Sequence, residues 1–228
     1  MNDKRLTFRV LAALLRYPDA AFRDAIPDLT VALDVERAFP ESRLAELNAL
    51  LLQCQAMDPF EVEARFIETF DRGRATSLHL FEHVHGDSRD RGPALVDLGQ
   101  TYERAGLVFD GEELPDHLCV VLEFCSTQPS DVAREFLGEM AHILNAVCSA
   151  LRERQSPYAP VIAAVLELAG QQSQPVAVTA DVAIDEAWAE PPAFDGCNSA
   201  GQARPTTPQP IHIVRSRKDP SAAQGARA

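Results

Sequence analysis

Between residues 3 and 169 the apolar side chains recur at three- and four-residue intervals, and this spacing constrains the fold more than any other feature. Leu6, Val10 and Leu14 repeat every fourth residue, with Leu11 and Leu15 beside them. Leu44, Leu47, Leu51 and Cys54 follow the same rule, as do Val62, Phe66 and Phe70. The pattern returns at Leu95, Leu98 and Tyr102, and again at Leu118, Val121, Leu122 and Cys125. It then runs along Val132, Phe136, Met140, Ile143, Leu144, Val147 and Leu151. Such a stripe lies on one face of an α-helix, whereas a strand would scatter it over both faces. Leucine and alanine dominate, and β-branched runs are few outside Val176 to Val182. An all-α, single-domain helical bundle is expected.

Prolines, glycines and capping residues set the expected boundaries. A first helix over about 3–16 is stopped by Tyr17-Pro18-Asp19, because the residue before proline avoids the α region. Pro27 separates two short helices near 19–25 and 28–38, and another helix covers about 41–55. Asp58-Pro59-Phe60-Glu61 opens the next, with Asp58 as N-cap and Pro59 in the first helical position. Gly73 ends it, and Gly106 stops the helix that carries Tyr102. Ser130 caps the longest helix, about 131–154, which Ser156-Pro157 breaks. A last core helix covers about 158–169. The expected organisation is a helical domain over 1–170, a linker with a short acidic segment over 171–194, and a disordered, Pro-rich basic tail over 195–228.

Charge and cysteine usage narrow the partners. The net charge of −13 argues against nucleic acid, which needs a basic surface, and against an anionic membrane. Residues 101–150 hold nine acidic side chains against two basic ones. That balance favours a basic or amphipathic partner steered by complementary charge. The five cysteines, Cys54, Cys119, Cys125, Cys148 and Cys197, have no C-x-x-C spacing. They read as buried thiols in a reducing compartment. The N-terminus lacks a secretory signal, and no run of 18 apolar residues occurs, so a cytoplasmic protein with no direct membrane insertion is expected.

One stretch, Phe70 to Gly92, mixes dense charge with hydrophobicity. It contains Arg72, Arg74, Arg89 and Arg91, three histidines (His79, His83, His85) and three glycines (Gly73, Gly86, Gly92). It reads as a loop–helix–loop held by ion pairs. Arg72 and Arg91 are expected to bond to carboxylates among Asp71, Glu82, Asp87 and Asp90. Within it, His79-Leu-Phe-Glu82-His83 matches H-x-x-E-H, in which two histidines on one helix face hold zinc and the glutamate activates water. The match is five residues long and no third ligand is evident. A zinc-dependent hydrolase is therefore the second reading, and no metal or cofactor is assigned. Cys119 lies two residues from His117, but such positions on a helix point apart, so a Cys/His nucleophile is not expected. Asp116-His117 after Pro115 is either a capping device or a polar handle beside an apolar groove.

Four segments together resemble a known family. They are Asp71-Arg-Gly-Arg-Ala-Thr-Ser-Leu78, Phe81-Glu-His-Val-His-Gly86, Ser88-Arg-Asp-Arg-Gly92 and Leu114-Pro-Asp-His-Leu118. Leu14-Leu-Arg-Tyr-Pro18 and Asp185-Glu-Ala-Trp-Ala-Glu-Pro-Pro192 fit as well. The chain is similar over about residues 5–192 to the nitrate reductase molybdenum cofactor assembly chaperones, the NarJ type of the TorD-like redox-enzyme chaperones. The resemblance implies a helical, non-enzymatic chaperone without a cofactor of its own, a monomer when free. It implies binding of the N-terminal segment of the nitrate reductase catalytic subunit, assistance to molybdenum cofactor insertion, and delayed membrane docking. The Asp116-His117 pair matches the short polar motif that the family places near its peptide groove. Leu114, Pro115, Tyr102 and Glu123 are assigned to the same groove. Asp71, Arg72, Arg74, Glu82, His83, Arg89 and Arg91 are assigned to structure or partner contact.

Overall fold

The computed structural model describes residues 4–86, 88–109 and 113–177. Ten α-helices occur among them: α1 (Arg5–Leu14), α2 (Ala20–Glu36), α3 (Glu41–Ala56), α4 (Pro59–Phe70), α5 (Leu80–His85), α6 (Arg91–Arg104), α7 (Leu118–Thr127), α8 (Ser130–Glu139), α9 (Ala141–Glu153) and α10 (Ala159–Leu168). A single 3-10 turn, Arg74–Thr76, precedes α5. The described residues contain no strand; one antiparallel bridge pairs His79 with His117. The all-helical expectation therefore holds.

The helices share one core, running from Phe8 on α1 to Ala169 after α10. α10 sits inside it: Val161 to Leu166 are all buried, as expected of a helix apolar all round. It packs on α9, α8, α3 and α1, while α1 packs closely on α7 and on α2. Lys4 gives α1 no side-chain cap. Glu36, at the end of α2, takes over that task. Its carboxylate accepts the backbone N–H groups of Leu6 and Thr7 at 2.7 Å each, and the Thr7 hydroxyl at 2.6 Å. A negative charge there satisfies open donors and meets the positive helix end.

Two boundaries differ from expectation. Pro27 lies inside one continuous α2 and does not divide two helices. Asp19 caps that helix by accepting Phe22 N–H at 2.8 Å. Phe22, Ile26 and Leu33, on both sides of the proline, are buried. Burying three large side chains is worth several kcal/mol, more than the roughly 3 kcal/mol that an internal proline costs. Pro27→Ala restores the missing N–H at an exposed position and is expected to raise stability by about 1–3 kcal/mol in urea unfolding. The expected long helix over 131–154 is two helices, interrupted at Met140. Gly138, of low helix propensity, precedes the break. The break lets α8 reach α7 while α9 lies along α10. Val132, expected in the buried stripe, is exposed in consequence.

Smaller differences concern the ends. α4 stops at Phe70, three residues before Gly73, and Asp58 caps its start as expected, accepting Phe60 N–H at 2.9 Å. Cys54, Cys119, Cys125 and Cys148 are free and buried, and Cys197 lies outside the described residues. So do the 178–228 segment and its Trp188.

Candidate functional site

The loop–helix–loop around α5 and the segment Leu114–Leu118 are clamped together. Leu80 N–H donates to the Asp116 carbonyl at 3.1 Å, and Leu118 N–H donates to the Leu78 carbonyl at 2.9 Å. Asp116 is completely buried. Its carboxylate accepts the Phe81 N–H at 3.0 Å, faces His79 Nδ1 at 3.4 Å and lies 3.8 Å from the Arg91 guanidinium. Arg91 also reaches Glu82 at 3.3 Å, and Glu82 in turn accepts the Ser77 hydroxyl. Burial alone pushes the Asp116 carboxyl up. The bonds from His79 and Phe81 and the charges of His79 and Arg91 outweigh it and hold the group below its usual range. The same Asp116 bond raises the His79 pKa, against the opposing effect of burial.

His117 opens α7 as its N-cap, with Nδ1 facing Cys119 N–H at 3.3 Å and the Cys119 Sγ at 2.9 Å. It is buried, which pushes its pKa down to about 4, helped by the charge of His79. The imidazole is therefore neutral at physiological pH. Burial pushes the Cys119 and Cys125 thiols up to about 12, so neither supplies a thiolate nucleophile.

The zinc-hydrolase reading of His79, Glu82 and His83 is overturned. His79 precedes α5 in extended conformation, so it does not share a helix face with His83. His83 Nε2 is 2.9 Å from the Ser77 carbonyl, and Glu82 is taken by Ser77 and Arg91. The short motif presumed one continuous helix, which the bridge at His79 prevents.

The other expected residues scatter. Arg91 pairs with Glu82, one of the carboxylates expected for it, and with Asp116, which was not among them. Arg72 and Arg89 are exposed, and among the described residues no ion pair engages Arg72, contrary to expectation; Asp87 lies outside the described residues. Arg74 packs its guanidinium against Gly86, which stands at φ +53° where a side chain would strain both. Asp71 and Arg74 line a small cavity with Ser77, His79 and Glu82. Leu114 is exposed, and the Pro115 carbonyl accepts the Tyr102 hydroxyl at 2.8 Å.

A larger groove, of about 630 Å³, lies between α1, the start of α2 and α7. Tyr102, Phe22, Val120, Phe124, Leu107 and Val108 give it an apolar lining, and Glu113, Glu123, Asp19, Arg9 and Arg16 supply charge. Arg16 and Glu123 pair across it at 3.3 Å, both about half exposed. Two of the expected groove residues, Tyr102 and Glu123, lie here. Asp116 and His117 do not line it; the adjoining Pro115 carbonyl holds Tyr102, and His117 caps the start of α7. Sequence reasoning missed Arg9, Arg16, Val108, Glu113 and Phe124. One signal was available: Leu107-Val-Phe109 is an apolar run outside any helical pattern, and Val108 is 95 % exposed.

The described residues thus form an all-helical bundle with an apolar groove whose rim carries Asp19, Glu113 and Glu123 beside Arg9 and Arg16. A solved structure with this fold is a protein of Archaeoglobus fulgidus assigned to redox enzyme maturation; the TM-score is 0.51 at 18 % identity, covering 73 % of this chain and 94 % of that one. The nitrate reductase delta subunit family model matches residues 36–164, and the chain belongs to that family. It is 40 % identical over 205 residues to the nitrate reductase molybdenum cofactor assembly chaperone NarJ of Escherichia coli K12, covering 90 % of this chain and 80 % of that protein. A second relative in that organism, NarW, assigned to the same role, is 39 % identical over 192 residues, covering 80 % of each chain. These relatives are assembly chaperones.

Proposed function

We propose that this protein is a cytoplasmic chaperone of nitrate reductase assembly that holds the N-terminal segment of the catalytic subunit in the groove between α1, α2 and α7. One chaperone chain holds one segment, keeps the apo-subunit competent for molybdenum cofactor insertion and delays its docking at the membrane. The observation that carries this reading is the groove itself: apolar side chains left uncovered inside a rim of three carboxylates and two guanidinium groups, in a chain of the nitrate reductase delta subunit family. An amphipathic basic helix would lay its apolar face on Phe124, Val120 and Val108, with Glu113 and Glu123 meeting its cations. Asp116 and His117 hold the walls of this site and do not touch the segment. No helix among the described residues is long and apolar enough to cross a membrane.

Calorimetry with a synthetic peptide of the catalytic subunit's first residues tests this directly. Wild type is expected to bind one peptide per chain. Val108→Asp, at a fully exposed position, is expected to weaken binding about ten-fold or more without changing the unfolding midpoint, because apolar anchors dominate affinity. Raising salt is expected to slow association more than it speeds dissociation, because rim charges act on the encounter. Absence of any complex at concentrations well above micromolar would refute the reading. Unaltered binding by Val108→Asp would refute only the groove.

A further inference from the structure

The groove between α1, α2 and α7 differs at its two ends. Arg9, Ala13 and Arg16 line it as one stripe along α1 and the turn that follows. A rise of about 1.5 Å per residue sets Arg9 about 10 Å from Arg16 along that axis. The three carboxylates of the rim gather at the Arg16 end. Glu123 pairs with Arg16 at 3.3 Å. Asp19 follows Arg16 closely in the chain and caps α2. Glu113 brings its carboxylate within 4.8 Å of a ring nitrogen of His117, and His117 lies close enough to Arg16 to feel its charge. Since Arg16 is matched by Glu123, Glu113 and Asp19 leave this end negative. The other end holds Arg9, which is exposed and which no ion pair engages among the described residues.

We propose that this polarity fixes the direction in which the groove takes its segment, and that Arg9 is the residue that reads it. The inference rests on the groove being the site for a helical segment of the client. A helix carries partial positive charge at its first turn, where N–H groups lack acceptors, and partial negative charge at its last, where carbonyls lack donors. The favoured placement sets the first turn of the segment, with the basic side chains there, against Glu113 and Asp19. It sets the last turn over Arg9, whose guanidinium donates to the open carbonyls or to a carboxylate of that turn. The segment then runs antiparallel to α1, and the rest of the client leaves the groove past Arg9. Turned about, its first turn would meet a guanidinium and its last turn two carboxylates, and both ends would be repelled. Three such charges, each worth a factor of about two to five at an exposed helix end, favour one direction by about ten-fold. The segment selected is an amphipathic helix with its cations near the start and few near the end.

The test uses the full chain, isotope-labelled for NMR, with a synthetic peptide of the catalytic subunit's first residues, amidated at its C-terminus. A nitroxide is attached to the first or to the last residue of the peptide, and the amide signals it broadens show which end of the groove each label approaches. The first-residue label is expected to broaden Glu113 and His117 more than Arg9, and the last-residue label Arg9 more than Glu113. Arg9→Glu is expected to weaken binding about five-fold at an unchanged melting temperature, and Arg9→Lys, which keeps the charge, to retain most of the affinity. The reverse pattern of broadening, or equal broadening from both labels, would overturn the proposal while leaving the groove as the site. So would Arg9→Glu binding as tightly as wild type. Broadening confined to amides outside the groove, or no complex at all, would overturn both the direction and the assignment of the groove on which it rests.

Discussion

Asp116→Ala is expected to lower the unfolding free energy by about 3–5 kcal/mol, the range for breaking a buried charged pair by removing one partner. The carboxylate is completely buried and meets Phe81 N–H, His79 and Arg91. Its loss leaves the Phe81 amide without its acceptor and takes from Arg91 the second of its two carboxylates. It leaves the backbone bonds of Leu80 and Leu118 to hold the α5 loop to the start of α7 without the side-chain bonds that support them. Asp116→Asn keeps the shape and an acceptor for Phe81 but not the charge, so a loss of about 1–3 kcal/mol is expected. Urea unfolding at unchanged slope measures both. A loss below about 1 kcal/mol for Asp116→Ala would show that this cluster does not organise the fold. Peptide binding separates the roles further. Asp116 variants are expected to lose binding only in proportion to lost folding, whereas Val108→Asp loses it with the fold intact.

Acid should destabilise the protein through His117. Its folded pKa is depressed to about 4, against about 6.5 for an unfolded histidine. As pH falls through that interval the unfolded chain takes up a proton that the folded chain refuses, so stability is lost on the way down. An offset of that size corresponds to about 3 kcal/mol. His79 acts in the opposite sense. Its folded pKa is raised, so its contribution grows as pH drops through that raised value and is complete below about 6.5. Asp116, with its pKa lowered, contributes above the unfolded carboxyl value and is lost only as pH falls through the folded one, at the acid end. The expected profile is therefore a modest gain on mild acidification, then a fall of about 3 kcal/mol between pH 6.5 and pH 4. His117→Asn retains a good N-cap and removes the titrating ring. Unfolding in urea across pH is expected to show a much flatter profile for this variant. A wild-type profile that is level from pH 6.5 to pH 4 would contradict the burial of His117.

Helix content, the placement of α3, α4, α7 and α10, and the inert buried cysteines were legible in the order of residues alone. The reason is local. A helix face is set by spacing of three and four, and caps such as Asp58 act within one turn. Membership of a chaperone family was legible too, because the motifs around 70–118 are long. What tertiary contact decided is of another kind. Pro27 was overridden because Phe22, Ile26 and Leu33 bury on both sides of it, and local propensity does not weigh a core that other helices build. The helix expected over 131–154 bends at Met140 because α8 and α9 serve different neighbours. His79 left its apparent motif for His117, 38 positions away in number but joined by two backbone hydrogen bonds. Asp116 changed from a presumed handle to a buried anchor, since exposure is a property of the packed molecule. The groove shared by α1, α2 and α7 joins residues from Arg9 to Thr127, and only the closed fold brings their surfaces to face one another.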